Sequence, residues 1–509
     1  MGLKATFVIL ICFCNILGRA QQVLYSPFIE SQASFSVIGK AANHYWLQTN
    51  QKTRRSKKAK SPAVEDFSFE VYDERMNLVR TIPFSVSSQV IKEYFIPGDA
   101  FLDQLIFVQT SEQILVLLKR FSPEGDQVSD ADTIAFFPAR MKYSNFLLVR
   151  SQDRSKILLT GFETVIDSAM KLHSFLFDNN WRMLYETVYR HINISQPCVQ
   201  YEFIDYPLEH FSNCAIKLGN KGEWLMAVPA ATNKNFLLFH FKGIAEGLGY
   251  KEIKFPAVGA VEEVIVSIDN VKQDACAGIL SRMRYQSSKN VKVAHYLIAE
   301  HRVDFDTSFR FNAVAAQTKN ENIFEEYFMT VPGRGFMLLK EYGRTFSSGI
   351  AESYGKYDDE ANESTLAEKP LDYMNKNEYT RYSNLAGGRN AFDRGDLTMY
   401  YFPGTANDSC WSGIINKQQM TDLTNSYLSY VFMPRRDKLF FLYNEIFKSS
   451  NQYSNTTVLD QRGNALDEGV VYWKIKNTLV FQKARQISEN ELAVPYEKNS
   501  RAGFAIIRL

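Results

Sequence analysis

FSFEVYDERMNLVRTIPF, residues 67–84, and HSFLFDNNWRMLYETVY, residues 173–189, decide how this chain reads. Each begins with an aromatic-rich segment in which apolar and polar side chains alternate, passes through a polar turn, and ends in a second alternating segment. That is the signature of two antiparallel strands joined by a short turn. Asp73 and Asp178 close the first strand of their pairs, where a carboxylate accepts hydrogen bonds from the backbone of its own turn. Leu78 and Met183 follow five residues later in both.

The outline returns with weaker identity from Asn235, Val293, Leu397 and Val470. Another hairpin stands in front of each pair. The first unit takes strands from Ser34, His44, Phe67 and Leu78, and the second from Val90, Gln104, Ile114 and Asp132. Strands from Asn145 and Lys156 precede the His173 pair. Those from Cys214 and Glu223 begin the fourth unit, from Val261 and Ala275 the fifth, from Glu325 and Gly335 the sixth, and from Leu428 and Lys438 the seventh. Tandem four-stranded sheets bury both faces only by packing against one another, and radial packing does so while leaving short edges. The expectation is therefore all-β, a β-propeller of seven four-stranded blades. Eight blades closed by both chain termini is the alternative, because QVLYSPF (from Gln22), ELAVPYE (from Glu491) and AGFAIIRL (from Ala502) remain over. Two packed β-sandwiches are the structural rival. One short helical turn is expected at 418–425.

In strand order the chain resembles the β-propeller superfamily across nearly its whole length after residue 20. No signature of a named subfamily accompanies this: there are no regular Trp-Asp strand ends, and Gly387 with Gly388 is a single glycine pair. The Phe/Tyr/Asn/Lys-rich strands and the leader look like those of uncharacterised secreted propeller proteins of Bacteroidota-type bacteria, a resemblance that names no activity.

The leader is read from Lys4, an apolar run from Ala5 to Leu17, and small residues ending at Ala20. This is a secretory signal pattern. It divides the chain into a signal peptide, 1–20, and one propeller domain, 21–509, with a long insertion at about 344–396. The product is expected to be secreted, periplasmic or at the cell surface. No later run approaches the ~20 apolar residues of a membrane-spanning helix. The full chain has 58 Lys+Arg against 56 Asp+Glu. Loss of Lys4 and Arg19 leaves 56 of each, so the global charge gives no reason to expect nucleic acid as a partner. Cys198, Cys214, Cys276 and Cys410 remain. Cys198 and Cys214 are near enough in sequence to close one loop, although buried free thiols are the preferred reading.

In an antiparallel blade with strands a to d, the b-to-c and d-to-a connections emerge on one face and the a-to-b and c-to-d turns on the other. The long connections, 51–66, 342–396 and 445–468, are all b-to-c and gather over units 1, 6 and 7. Long loops on a rigid scaffold are where binding usually resides. The first carries Lys52, Arg54, Arg55, Lys57, Lys58 and Lys60, which suit an anionic glycan, a lipid headgroup or an acidic partner, or form a solvated tip. The second carries Tyr373, Tyr379, Arg381, Tyr382, Arg389 and Arg394, types that suit sugar or protein recognition. A monomeric binding scaffold for a protein or glycan follows.

A hydrolase or lyase with its site at the central channel mouth is the alternative. The chain contains no HExxH, CxxC or GxSxG pattern and no phosphate-binding loop, so no catalytic residue is assigned. His44, His173, His240 and His295 fall within strands, as packed or hydrogen-bonded residues. His191 and His210 bracket the Cys198 loop, and His301 lies in a turn beside Asp304 and Asp306. Asp126, Asp130 and Asp132 lack the full calcium-loop pattern and read as turn caps. No cofactor or metal is expected.

Overall fold

The computed structural model describes residues 22–29, 34–50, 66–85, 89–141, 146–164, 170–192, 194, 209–210, 214–230, 235–243, 249–256, 260–282, 289–310, 322–346, 391–403, 411–417, 419–421, 430–435, 438–447, 451–460, 463–467, 478–488, 490–498 and 501–509. Almost all of them are strand.

The first strand, β1 (Gln22–Tyr25), is held back for the last blade. Blade 1 is β2 (Ser34–Ala41), β3 (His44–Asn50), β4 (Asp66–Tyr72) and β5 (Leu78–Ser85). Blade 2 is β6 (Val90–Pro97), β7 (Leu102–Gln109), β8 (Gln113–Phe121) and β9 (Gln127–Pro138). Blade 3 is β10 (Phe146–Arg150), β11 (Lys156–Thr164), β12 (Met170–Asp178) and β13 (Met183–Ile192). After the short β14 (Glu209–His210), blade 4 is β15 (Ala215–Leu218), β16 (Trp224–Pro229), β17 (Asn235–Phe241) and β18 (Tyr250–Pro256). Blade 5 is β19 (Ala260–Asp269), β20 (Asp274–Arg282), β21 (Lys289–Leu297) and β22 (Arg302–Arg310). Blade 6 is β23 (Asn322–Val331), β24 (Gly335–Phe346), β25 (Ala391–Pro403) and β26 (Trp411–Ile415), with β27 (Gln419–Thr421) beside β25. Blade 7 is β28 (Tyr430–Arg435), β29 (Lys438–Phe447), β30 (Asn451–Asp460) and β31 (Ala465–Asp467). Blade 8 combines β32 (Thr478–Leu479), β33 (Arg485–Ser488), β34 (Glu491–Lys498) and β35 (Arg501–Arg508) with β1.

The fold is thus an all-β propeller of eight blades, and the expectation of seven is corrected. Blade 8 is closed by both ends of the described chain: Val23 pairs with Ile507 and Leu24 with Ile506. The miscount has a local cause. The third strand of blade 7, NQYSNTTVLD, is polar, and the aromatic segment after Val470 imitates it in sequence. In the structure 445–468 is not a long loop. β29 and β30 pair continuously from Lys438↔Asp460 to Phe447↔Asn451. The helical turn expected at 418–425 is likewise corrected, since Gln419–Thr421 pairs as a strand with Phe392, Asp393 and Arg394.

Period-2 alternation explains how the ring coheres. Along β3, Tyr45 and Leu47 face blade 8 while Trp46 between them faces blade 2. Every interface between consecutive blades holds one buried apolar cluster, eight in all among the described residues. A fully buried large side chain such as Trp46, Phe107 or Trp224 contributes roughly 2–3 kcal/mol through the area it removes from water. The first strands of successive blades approach one another, which places them innermost, around the channel.

The c-to-d turns repeat in detail. In blade 1, Met76 N donates to Asp73 O, and the backbone of Arg75 and Asn77 donates to Asp73 Oδ1. Blade 3 matches it with Trp181 N on Asp178 O and Asn180 and Arg182 on Asp178 Oδ1, and blade 7 with Gly463 N on Asp460 O and Asn464 on Asp460 Oδ1. The carboxylate caps read from Asp73 and Asp178 are as expected. The fourth turn residue takes a positive φ in each: Met76 67°, Trp181 65°, Gly463 81°.

Candidate functional site

Lys52, Arg54, Arg55, Lys57, Lys58, Lys60, Tyr373, Tyr379, Arg381, Tyr382 and Arg389 lie outside the described residues. Arg394 is a strand residue of β25, opposite Gly343 and Gln419 in register, and not part of a loop. The structure shows the strand ends from which both connections depart.

In blade 1 the departure is ordinary, with Asn50 paired to Phe67. Blade 6 differs. β24 and β25 stay paired past a bulge at Glu341/Gly343 as far as Phe346↔Ala391, and β27 returns alongside. Of the insertion expected at about 344–396, residues 344–346 and 391–396 are strand residues of β24 and β25, which with β27 extend the blade, and 347–390 lie outside the described residues. The root of this extension is buried and polar. Lys417 Nζ pairs with Glu341 Oε1, both side chains being inaccessible to solvent, and donates to Gln419 Oε1 at 2.9 Å. Gln419 Nε2 then donates to Asn444 O at 2.6 Å, and Asn444 Nδ2 to Leu479 O at 2.7 Å. Lys417 N donates to Asp396 Oδ1 at 3.2 Å. These bonds join blades 6, 7 and 8 on the face from which the long connections leave.

The channel carries a feature that sequence reasoning missed. β14, from the connection between blades 3 and 4, pairs antiparallel with the middle of β23, Glu209 with Phe328 and His210 with Tyr327. β23 is the innermost strand of blade 6, and its other edge is taken by β24. β14 thus adds a strand to the channel-side edge of blade 6. Cys214, at the end of this connection, is disulfide-bonded, which corrects the preference for a free thiol there. Its partner lies outside the described residues, as Cys198 does. A two-residue strand between turn-rich segments has no periodicity to betray it.

Ionisable side chains gather in three further places. Glu163, 3% exposed at the end of β11, accepts from Arg140 and from His173 Nε2 at 2.8 Å, with Lys171 Nζ at 3.9 Å. Burial, helped by the Lys171 and Arg140 cations and opposed by Glu186, lowers the affinity of His173 for a proton. The imidazole is oriented by a carboxylate, an arrangement that serves a general base when a substrate reaches it. On the opposite face, His295 Nε2 meets Asp274 Oδ2 at 2.9 Å, with Cys276 paired to His295 across the strands. This Cys, His and Asp set is not a nucleophile. Burial, with Asp274 adding to it, pushes the Cys276 thiol well above its ordinary range, and the residue is 1% exposed. The third group is His240, Tyr296 and His301, between blades 4 and 5. Among the described residues, no set of three or more His, Cys, Asp and Glu side chains is arranged to hold a metal ion.

No family model and no curated protein matches this chain. Among solved structures, the Dos1 propeller aligns over 95% of this chain and 94% of its own, at 11% identity and a TM-score of 0.40. The β-propeller domain of the Trilobed protease from Pyrococcus furiosus, described as having an open velcro topology, aligns over 82% and 94% at 9% identity and a TM-score of 0.32. The Pyrococcus horikoshii acylaminoacyl peptidase aligns over 92% of this chain and 58% of its own, at 8% identity and a TM-score of 0.35. These are likenesses of propeller architecture alone.

Proposed function

We propose that the chain is a secreted or periplasmic binding scaffold that engages a protein or an anionic glycan through the face carrying its long b-to-c connections, with a signal peptide at 1–20 and a single propeller domain at 21–509. The observation that supports this reading best is the paired extension of blade 6 to Phe346↔Ala391, rooted by the Lys417 to Glu341 pair. A scaffold that stiffens the base of an insertion pre-organises it and so reduces the ordering cost of binding. Blades 6 and 1 flank blades 7 and 8 in the eight-bladed ring, so the binding face spans four blades, with the basic residues 52–60 at one side. The test is chromatography on an immobilised sulfated glycan. The mature protein is expected to be retained and to elute with salt, and deletion of 51–60 to abolish retention; equal retention of the deletion variant removes the anionic-glycan reading. Replacing 347–390 by a two-residue turn is expected to deplete whatever protein co-purifies with the wild type.

A second reading, a hydrolase or lyase, is favoured by the Glu163 to His173 pair. It predicts turnover of an ester, glycoside or phosphoester panel that His173→Asn abolishes. Absence of turnover in the wild type sinks it.

A further inference from the structure

We propose that His240, His301 and Tyr296 form a binding site for one divalent transition-metal ion of borderline softness, Zn²⁺ or Cu²⁺, in the groove between blades 4 and 5.

The position begins with the turn geometry. His301 occupies the place in the blade 5 c-to-d turn that Met76 and Trp181 occupy in blades 1 and 3. Its backbone N donates to Ile298 O, and its φ is 52°. In those blades the residue is a large apolar wedge buried against the preceding blade. Blade 5 puts an imidazole there instead, facing a second imidazole. Left-handed backbone is uncommon at a non-glycine residue.

The donor atoms then converge. His301 Nδ1 lies 3.1 Å from His240 Nδ1, and Tyr296 Oη lies 3.0 Å from that same His240 atom. His240 and Tyr296 are wholly buried. An imidazole Nδ1 offers either one lone pair or one proton, yet this one has two partners in hydrogen-bond range. A single cation placed among the three satisfies all of them. Two nitrogens 3.1 Å apart, each bound to one ion by bonds of about 2.05 Å, subtend an angle of roughly 100°, near the tetrahedral value. Two imidazoles with a phenolate are a donor set for zinc or copper rather than for calcium or magnesium. His301 is half-buried, so an ion enters from its side, and a water or an external ligand completes the shell.

The surrounding charge sets the conditions. Lys251 Nζ donates to His301 O, and Lys242 is near enough to oppose protonation of His240. Burial first, then the neighbouring His301 and these ammonium groups, bring the His240 affinity for a proton down to about 4. The two lysines act against any cation, and three converging donors must overcome them.

The experiment uses the whole mature protein, stripped with a chelator and titrated with zinc sulfate by calorimetry and with copper sulfate by visible absorption. One ion per chain is expected, with a phenolate-to-copper charge-transfer band. His301→Ala and His240→Gln are expected to weaken binding by about tenfold or more, and Tyr296→Phe to remove the band. Should His240→Gln fail to fold, His301→Ala at its half-exposed turn and the near-isosteric Tyr296→Phe still decide the matter. Absence of saturable binding, equal affinity in His301→Ala, or persistence of the band in Tyr296→Phe each overturns the site.

Discussion

Trp181 shows how one side chain serves turn, core and electrostatics together. Its left-handed backbone completes the turn capped by Asp178, its ring packs with Phe177, and its Nε1 donates to Asp103 Oδ2 at 2.7 Å across the blade 2 to blade 3 interface. Burial raises the affinity of Asp103 for a proton, and the indole and Arg120 oppose it. A carboxyl raised in the folded state costs stability as pH rises from its unfolded value through its folded one, because the charge is then buried. Trp181→Phe keeps the ring but removes the donor. It is expected to cost about 1–3 kcal/mol at pH 7.5, and less at pH 4.5 where Asp103 is closer to neutral. Urea unfolding at the two values measures this, and equal penalties would mean that the indole does not act on the ionised form. The Asp73 and Asp178 caps were legible in the sequence because an Asx turn is local. The Trp181 to Asp103 bond was not, since 78 residues separate its partners.

At the scale of the element, the extension of blade 6 rests on a charge pair withdrawn from water. Removing one partner from such a pair leaves the other uncompensated and costs about 3–5 kcal/mol, whereas replacing both by apolar groups is often neutral. Lys417→Met is therefore expected to lower stability by that amount, and the double variant Glu341→Leu with Lys417→Met to recover most of it, as thermal unfolding of the three proteins would show. If the double variant is no better than the single, the pair is held by its wider network through Gln419 and Asn444 and not by its own charges. Most strands were readable because their aromatic alternation reflects burial between two blades, as in SFLF of β12. NQYSNTTVLD of β30 defeated the same rule. Its backbone satisfies the ladder with Lys438–Phe447 whatever its side chains, so composition did not announce it.

The whole molecule depends on closing the ring, and here the deciding residues sit at opposite ends of the described chain. Tyr496 Oη donates to Ser26 O at 2.6 Å, and Ser26 N to Phe504 O at 2.9 Å, fixing β1 on β35. Nearby, Glu491 accepts from Lys40 Nζ at 2.9 Å, Arg508 Nε at 2.9 Å, Tyr45 Oη at 3.1 Å and Ser488 Oγ at 3.1 Å, tying blade 8 to blade 1. Burial works against the Glu491 charge, but the Lys40, Arg508 and Tyr45 donors outweigh it and hold the carboxyl below its ordinary range. A carboxyl lowered in the folded state lends stability above its unfolded value, and that stability is lost as pH falls through the folded one. Glu491→Gln is accordingly expected to cost about 1.5–3 kcal/mol at pH 7, with the gap to wild type closing below about pH 4. A gap that persists in acid would mean that shape, not charge, closes this joint. Leu24→Pro tests the closure directly. Ser26 N donates to Phe504 O, so two residues earlier the Leu24 N–H faces Ile506, and proline there removes a ladder donor; the strand should detach while blades 2 to 6 keep their interfaces. Limited proteolysis is expected to cut first at 22–29 and then within blade 8, long before the middle of the chain. Uniform cleavage would show that the ring stands or falls as one cooperative unit, with β1 no more than its last thread.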